Sequence, residues 1–70
     1  MQRHSVASSN LASVGYDVAT QTLEIEFLSR SVYQYYNVPE IIHTQLMAAG
    51  SKGKFFHQYI RNAYPYSRVG

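Results

Sequence analysis

Apolar and polar residues alternate over two stretches in the first half of the chain, residues 12–18 and residues 22–28. The second stretch is the more regular, with Leu23, Ile25 and Phe27 on one side and polar residues on the other. Because successive side chains of a strand point to opposite faces, this pattern predicts two strands with one buried face each. The three residues between them are enough for a hairpin.

A third strand is predicted at residues 32–36, and its register depends on the loop before it. A two-residue loop would turn Gln34 toward the core, whereas a three-residue loop exposes Gln34 and buries Tyr33 and Tyr35. We therefore predict a loop at Ser29–Ser31, which gives Arg30 or Ser31 a mildly strained positive φ. This loop aligns two pairs across the hairpin, Phe27 with Tyr33 and Ile25 with Tyr35.

The second half of the chain has apolar residues at helical spacing. A first helix is predicted to open at Val38-Pro39, because proline suits a first helical turn and the acidic Glu40 suits its positive end. Its apolar stripe consists of Val38, Ile41, Ile42, Leu46 and Ala49. Gly50 is typical of a residue just beyond the end of a helix.

A second helix is predicted from Ser51, a good N-cap residue, to about Ala63, before Pro65 stops it. The predicted buried face consists of Phe56, Tyr59, Ile60 and Ala63. The opposite face is polar and basic, and consists of Lys54, His57, Gln58 and Arg61. This separation is typical of a helix that packs one side against a core.

The two ends of the chain have weaker patterns. Residues 1–10 are polar and serine-rich, so we expect them to be loosely ordered, although they could include a short edge strand near their end. Residues 66–70 could form a last short strand or remain loose. The whole pattern predicts one α+β domain over residues 1–70, a three-stranded antiparallel meander followed by two α-helices packed on one face.

Composition limits the classes of function. The 70 residues include no cysteine, which excludes disulfides and thiolate metal sites. No stretch approaches the roughly 20 apolar residues that a membrane-spanning helix needs. No apolar run follows the basic Arg3, as it would in a signal peptide. We therefore expect a cytoplasmic protein.

The charges are unevenly distributed. The net charge is +2, but the first 50 residues contain two arginines and all four acidic residues. The charged residues after position 50 are all basic, namely Lys52, Lys54, Arg61 and Arg68. This asymmetry indicates that the last part of the chain binds an anion.

A series of short motifs runs in order along roughly residues 6–68. They are Ser8-Ser9-Asn10, Val14-Gly15-Tyr16-Asp17, Leu23-Glu24-Ile25-Glu26-Phe27, Tyr33-Gln34-Tyr35, Val38-Pro39, Leu46, Ala49, Ser51-Lys52-Gly53-Lys54-Phe55-Phe56, Ile60-Arg61 and Tyr64. Each motif is weak by itself, but their order and spacing resemble the KTSC domain. This short module is found alone in bacterial and phage proteins and at the C-terminus of some lysyl-tRNA synthetases.

The resemblance implies little about mechanism, because the function of the family is generally regarded as unknown. It implies RNA binding only through the synthetase context, so the argument for a site must come from the residues themselves. One departure is that Ser29-Arg30-Ser31 stands where the family usually has a glycine before the central tyrosines, which would make this hairpin more strained.

The start of the second helix is the best candidate site. Helix N-termini carry unpaired N–H groups and a partial positive charge, and Ser51, Lys52, Gly53 and Lys54 would add two ammonium groups and a glycine that permits close approach. Together they could seat a phosphate. The alternative is a serine cap with two solvated lysines. The spacing does not match a nucleotide-binding P-loop.

The basic face of the same helix would extend this site through His57 and Arg61, with Arg68 nearby, and would hold phosphates without sequence specificity. The alternative is the ordinary solvated side of an amphipathic helix. Tyr64 and Tyr66 could stack on bases or pack against the sheet edge. Tyr33 and Tyr35 are expected in the core. Tyr36 shares the other sheet face with two glutamates, which would repel a phosphate backbone.

The sequence contains no histidine spacing typical of a metal site and no nucleophile, paired-carboxylate or dinucleotide motif, so we expect no metal, no cofactor and no catalysis. The leading interpretation is a non-catalytic module that binds RNA or another polyanion. One alternative is a protein-interaction module that uses the sheet edge or the face with Gln34 and Tyr36. Another is a metal-independent ribonuclease, with His57 as the base and Lys54 and Arg61 stabilising the phosphate.

Overall fold

The alternating residues of the first half form the centre of an antiparallel sheet. The computed structural model describes all of residues 1–70, and its strands are β1 (His4–Ser5), β2 (Leu11–Asp17), β3 (Thr22–Phe27), β4 (Val32–Tyr35) and β5 (Tyr66–Arg68). Neighbours in the sheet follow chain order. Between β4 and β5 the chain forms helices α1 (Glu40–Ala48) and α2 (Lys52–Tyr59), which pack on one face of the sheet. Neither helix is long and apolar enough to cross a membrane.

The core lies between the helices and the apolar side of the central strands. Its fully buried side chains are Leu11, Val14, Leu23, Ile25, Val38, Leu46 and Ile60. Tyr35 and Phe56 supply the bulk that this short chain needs, and each is only 4% exposed. The predicted inward face of the sheet is therefore confirmed, as is the packing of two helices on one side.

The sheet has five strands, whereas the sequence predicts three. The missed strands are the edges β1 and β5, of two and three residues, and every residue in them is exposed. Strands this short and this exposed have no alternating pattern to detect. β1 lies in the middle of residues 1–10, whereas a possible edge strand was expected near the end of this segment. β5 is the short last strand that was one of the two alternatives for residues 66–70.

The β3–β4 hairpin keeps the predicted faces but not the predicted alignment. Tyr33 lies opposite Ile25, and Tyr35 lies opposite Leu23, a shift of two residues from the predicted pairs. The Phe27 N–H donates to the Ser31 carbonyl at 2.9 Å, so the three-residue loop begins at position 28, one position early. Its last residue, Arg30, has φ of 73°, and positive φ was predicted at Arg30 or Ser31.

Both helices differ from their predicted boundaries or faces. In α1, Ile41 is 58% exposed, because the contact face runs through Ile42 and Leu46 instead. α2 ends at Tyr59, which is 50% exposed. The predicted end at Ala63 and the predicted burial of Tyr59 and Ala63 are wrong, because the chain must turn back to pair β5 with β4.

A stacked ring pair fixes α1 to the sheet. The Tyr16 hydroxyl donates to the Val38 carbonyl, and the Tyr16 ring stacks on His43 with centroids 4.8 Å apart. Burial, followed by the charges of Glu40 and Asp17, raises the pKa of Tyr16. Burial also lowers the pKa of His43, and His4 lowers it further against the opposing effect of Glu40. Both shifts favour the neutral form of the ring at pH 7, as a half-buried stack does.

The outer face of the sheet, away from the helices, carries a polar network. Arg3 pairs with Glu24, and its Nε donates to Ser13 Oγ at 3.0 Å. Gln34 Nε2 donates to the same carboxylate at 2.8 Å. Glu24 is only 6% exposed, and burial alone would raise its pKa, but these hydrogen bonds and the charge of Arg3 outweigh burial and lower the pKa. The N-terminal segment is thus held on the sheet by a nearly buried ion pair.

Gly15 allows the N-terminal segment to cross the outer face. A Cβ atom at Gly15 would lie 2.6 Å from the backbone oxygen of Gln2. We expect Gly15→Ala to displace residues 1–5 and to lower the free energy of unfolding by about 1–3 kcal/mol, as overpacking usually does. Chemical denaturation measures the loss, and faster hydrogen exchange of the Val6 amide, which donates to Ala12 at 3.1 Å, locates it.

Gly50 supplies the control, because an added Cβ there meets no atom within 4 Å and the residue does not have positive φ. Gly50→Ala should leave stability unchanged or raise it by up to about 1 kcal/mol. Equal effects of the two substitutions would contradict the close approach at Gly15.

The lowered pKa of Glu24 predicts how stability depends on pH. The contribution of this carboxylate is fully present above its unfolded value near 4.5 and is lost as pH falls through the lower folded value. Glu24→Gln should cost about 1–3 kcal/mol at pH 7, because it leaves Arg3 without its charged partner. The variant should also lose less stability than the parent on acidification. Urea denaturation between pH 7 and pH about 2 measures both effects.

Glu26→Gln is the matched control for Glu24→Gln, because Glu26 is half-buried and lies 4.0 Å from Arg3. It should cost less at pH 7. If it costs as much, burial of the Arg3–Glu24 pair does not set the stability of this face.

Candidate functional site

The start of α2 is capped as the sequence predicts. Ser51 has extended φ and ψ of −123° and 100°, and its Oγ accepts a hydrogen bond from the Lys54 N–H at 3.3 Å. Lys52 turns away, and its Nζ donates to the Ala49 carbonyl at the end of α1, 3.2 Å away. Lys52 therefore satisfies a helix C-terminus and does not join the predicted phosphate seat.

Gly53 does permit a close approach, but by the protein's own chain. A Cβ atom there would lie 3.4 Å from the Asn10 Cβ and 3.7 Å from the Ser8 Oγ. The Ser8 hydroxyl accepts hydrogen bonds from the N–H groups of Asn10 and Leu11, which fixes the loop that contacts Gly53. This loop and the start of α2 form the two sides of a groove.

This groove, which we call the polar groove, has a volume of about 580 Å³. Its lining contains neither an apolar nor an acidic residue, and consists of Ser9, Asn10, Ser51, Gly53, Lys54, His57 and Gln58. The sequence-predicted site thus gains a second side from the N-terminal segment. A groove with two cationic or titratable side chains and no carboxylate attracts anions.

The exposed face of α2 brings Lys54, His57 and Arg61 to one side of the molecule, as predicted. Arg61 lies just beyond the last helical turn, where its N–H donates to the Phe56 carbonyl at 3.0 Å. Its Nη1 lies 3.2 Å from His57 Nδ1. Because a guanidinium only donates, Nδ1 is the acceptor in this contact.

A second opening, which we call the aromatic cleft, adjoins the polar groove and shares Asn10 and His57 with it. Its volume is about 370 Å³. Its aromatic lining consists of Phe27, Tyr33, Tyr35, Phe56 and Tyr66, and its polar lining consists of Asn10, His57, Arg61 and Asn62. No acidic residue lines it, so this cleft combines aromatic rings with positive charge.

The rings of the cleft are ordered by contacts among themselves. Phe56 meets Tyr35 edge to face at 5.4 Å and Phe27 at 5.3 Å. Tyr66, which is 58% exposed, lies 5.6 Å from Tyr35 and 5.9 Å from Tyr33. Burial, followed by the nearby Tyr33 and Tyr66, raises the pKa of Tyr35 to about 12, although Arg61 opposes the rise. Tyr35 therefore keeps its hydroxyl proton at neutral pH.

Besides Lys52, two further predicted residues lie outside both openings. Arg68 faces Tyr33 across the β4–β5 ladder, but its Nε donates to the Gly70 carbonyl at 2.8 Å and it lines neither opening. Tyr64, a stacking candidate, is half-buried against the core. Tyr66, the other candidate, does line the aromatic cleft. Tyr33 and Tyr35 were expected only in the core, yet they also face this opening.

Asn10 and Asn62 were missed. Asn10 belongs to the Ser8-Ser9-Asn10 motif, which could have pointed to it, but it lies in a segment expected to be loose. No motif or spacing in the sequence marks Asn62. The second helix was predicted to run to about Ala63, which placed Asn62 inside the helix and not beyond its end at Tyr59.

The carboxylates lie elsewhere. Both ion pairs of the structure join Arg3 to a glutamate on the outer face of the sheet, Glu24 or Glu26. The remaining acids are Asp17 in the first hairpin and Glu40 at the start of α1, and neither lines the polar groove or the aromatic cleft. The cations of α2 therefore have no acidic partner in the chain.

Known proteins share both the sequence and this fold. A crystal structure of a KTSC domain protein from Yersinia pestis is 42% identical and superposes with a TM-score of 0.96, covering 99% of this chain and 97% of that one. An uncharacterized protein from Stutzerimonas stutzeri is 40% identical over 70 residues, or 99% of each chain.

A lysine–tRNA ligase from Trichormus variabilis is 43% identical over 54 residues, which are 77% of this chain and 10% of the ligase. The chain thus spans about a tenth of the length of the ligases that it matches. The model of the KTSC domain matches residues 7–64. With its order of motifs, its fold and its relatives in agreement, the chain belongs to the KTSC domain family.

Proposed function

We propose that this KTSC domain is a non-catalytic module that binds RNA through the exposed face of α2 and the two openings beside it. The observation that carries the proposal is the set of unpaired cations on α2. Lys54 makes no ion pair, and the only side-chain partner of Arg61 is Nδ1 of His57.

Charge separation across the sheet supports this surface. The glutamates of β3 are turned to the outer face and held there by Arg3, so they do not neutralise the helix side. A concave surface lined by one sign of charge raises the local concentration of the opposite charge. Phosphate contacts of this kind give affinity that falls steeply with salt.

Aromatic rings beside these cations favour a nucleic acid over a simple anion. Proteins that bind single strands combine a positive groove for the backbone with rings on which bases stack. Tyr66 is exposed and lines the cleft together with Arg61. Unpaired RNA is the polyanion that would use both features.

The context of some relatives supports this choice. Lysine–tRNA ligases carry a segment that is about 40% identical to this chain, and their name states that they act on a tRNA. A domain carried by such an enzyme is well placed to hold part of an RNA. For the same reason we place this function in the cytoplasm, where the sequence predicts the protein to be.

The other two functions have less support. A protein partner on the outer sheet face would have to compete with internal bonds, because Gln34 already bonds Glu24 and the Tyr36 hydroxyl already contacts Ser67. A metal-independent ribonuclease needs an acid and a base on opposite sides of the phosphate. His57 is the only histidine in either opening, and its Nδ1 is taken by Arg61.

Fluorescence anisotropy with a labelled tRNA and with a short single-stranded RNA tests the proposal. We expect Lys54→Gln with Arg61→Gln to weaken binding by about 10- to 100-fold at about 50 mM salt. The slope of log affinity against log salt should fall by about 2, because two phosphate contacts are removed.

Lys52→Gln with Arg30→Asn is the matched control. It removes the same charge, but Lys52 points to the end of α1 and Arg30 lies in the β3–β4 turn, where asparagine tolerates positive φ. The control should bind almost as tightly as the parent. If both double variants lose affinity equally, only net charge matters and α2 is not the site. If the parent binds neither RNA at about 50 mM salt, the proposed function is wrong.

A further inference from the structure

The aromatic cleft has features that polyanion binding alone does not need. Its lining includes Tyr35, which is only 4% exposed and whose hydroxyl has no hydrogen-bond partner within the protein. No polar side-chain atom in the structure is both fully buried and unpaired, so this hydroxyl reaches solvent. A hydroxyl at the surface of a cleft with no protein partner is a donor that a ligand can use.

The cleft is large enough to hold one planar ring. A volume of about 370 Å³ lies at the small end of the range for ligand sites, about 300–1,000 Å³. Tyr66 stands at the open side as an exposed ring, 5.6 Å from the ring of Tyr35. A flat heterocycle could stack on Tyr66 while its edge reaches the Tyr35 hydroxyl below.

The polar groups around the cleft suit a nucleobase better than an apolar side chain. The amides of Asn10 and Asn62 offer both donors and acceptors at the rim, where both residues are exposed. His57 lines both the cleft and the polar groove, and Arg61 lines the cleft next to His57, at a position suited to the phosphate beside such a base. An apolar side chain would leave these polar groups without partners.

We infer that the aromatic cleft takes one unstacked base of a single-stranded RNA, with Tyr66 as the stacking platform and the Tyr35 hydroxyl as a donor to the edge of the base. The inference rests on the proposed RNA binding, because it places the base beside the cations of α2. It adds that affinity depends on the base as well as on the phosphates.

The experiment compares two labelled probes by anisotropy at low and high salt, a short single-stranded RNA and a strand of equal length that lacks bases. The parent should bind the RNA more tightly than the baseless strand. Tyr66→Ala should weaken RNA binding by about 5- to 150-fold, the range for loss of one stacked base, and should leave binding of the baseless strand unchanged. The salt slope should not change, because Tyr66 contacts no phosphate.

Two further variants separate stacking from folding. Tyr66→Phe keeps the ring and should restore affinity. Tyr59→Ala removes a tyrosine of similar exposure, 50% against 58%, which lines neither opening, and should bind like the parent. Tyr35→Phe removes only the hydroxyl, and should reduce the differences in affinity among strands made of a single base type.

Each other outcome has a definite meaning. If the parent binds both probes equally, the base site is wrong while the polyanion surface stands. If it binds neither probe, the proposed function fails as well. If Tyr66→Ala and Tyr59→Ala have equal effects, or if Tyr66→Phe fails to restore affinity, the base does not stack in this cleft.

Discussion

Packing of Phe56 against the aromatic rings of the sheet is the contact on which the other features depend. Phe56 is 4% exposed and meets both Phe27 and Tyr35 edge to face. These contacts fix the rotation of α2 about its axis, because helical residues three and four apart share a face. With Phe56 and Ile60 turned inward, Lys54, His57 and Arg61 must point outward. The same rings then leave a cleft where α2 ends and β5 begins.

The sheet separates two polar surfaces of different character. On the outer face, each charged or amide side chain finds a partner in the chain, from Arg3 through Glu24 to Gln34. On the helix side, the cations and the rim amides have few partners or none. Satisfied polar networks add stability and rigidity, whereas exposed polar groups without a protein partner are hydrated and remain free to bind a ligand. This contrast, more than the net charge, distinguishes the proposed binding surface.

Much of the fold could be predicted from the sequence, because periodic patterns report contacts that repeat. The alternation of Leu23 and Ile25 gave the inward face of β3, and Ser51 gave the start of α2. Features set by long-range contacts could not be predicted. The early end of α2 follows from the return of the chain to pair Tyr66 with Tyr35, and Lys52 turns because the end of α1 lies beside it.

Part of the candidate site could also be predicted, because the spacing of residues along a helix is a periodic pattern. The helical spacing of Lys54, His57 and Arg61 placed them together, and the structure confirms that they share a face. Asn10 lies near them only because the N-terminal loop packs against Gly53. Tyr33 and Tyr35 line the neighbouring cleft because β5 pairs with β4 beside them. The strained residue of the β3–β4 loop was predicted to within one position, at Arg30 or Ser31, and Arg30 is the residue with positive φ.

The position of Tyr66 on an edge strand has a kinetic consequence. β5 has three residues, all exposed, and β4 is its only partner in the sheet. Edge strands with little buried surface open locally far more often than a core unfolds. Opening of β5 would remove one wall of the cleft while Phe56, Leu23 and Ile25 stay packed. The residence time of a molecule held in the cleft would therefore follow the detachment of this strand, and would be independent of the global stability of the domain.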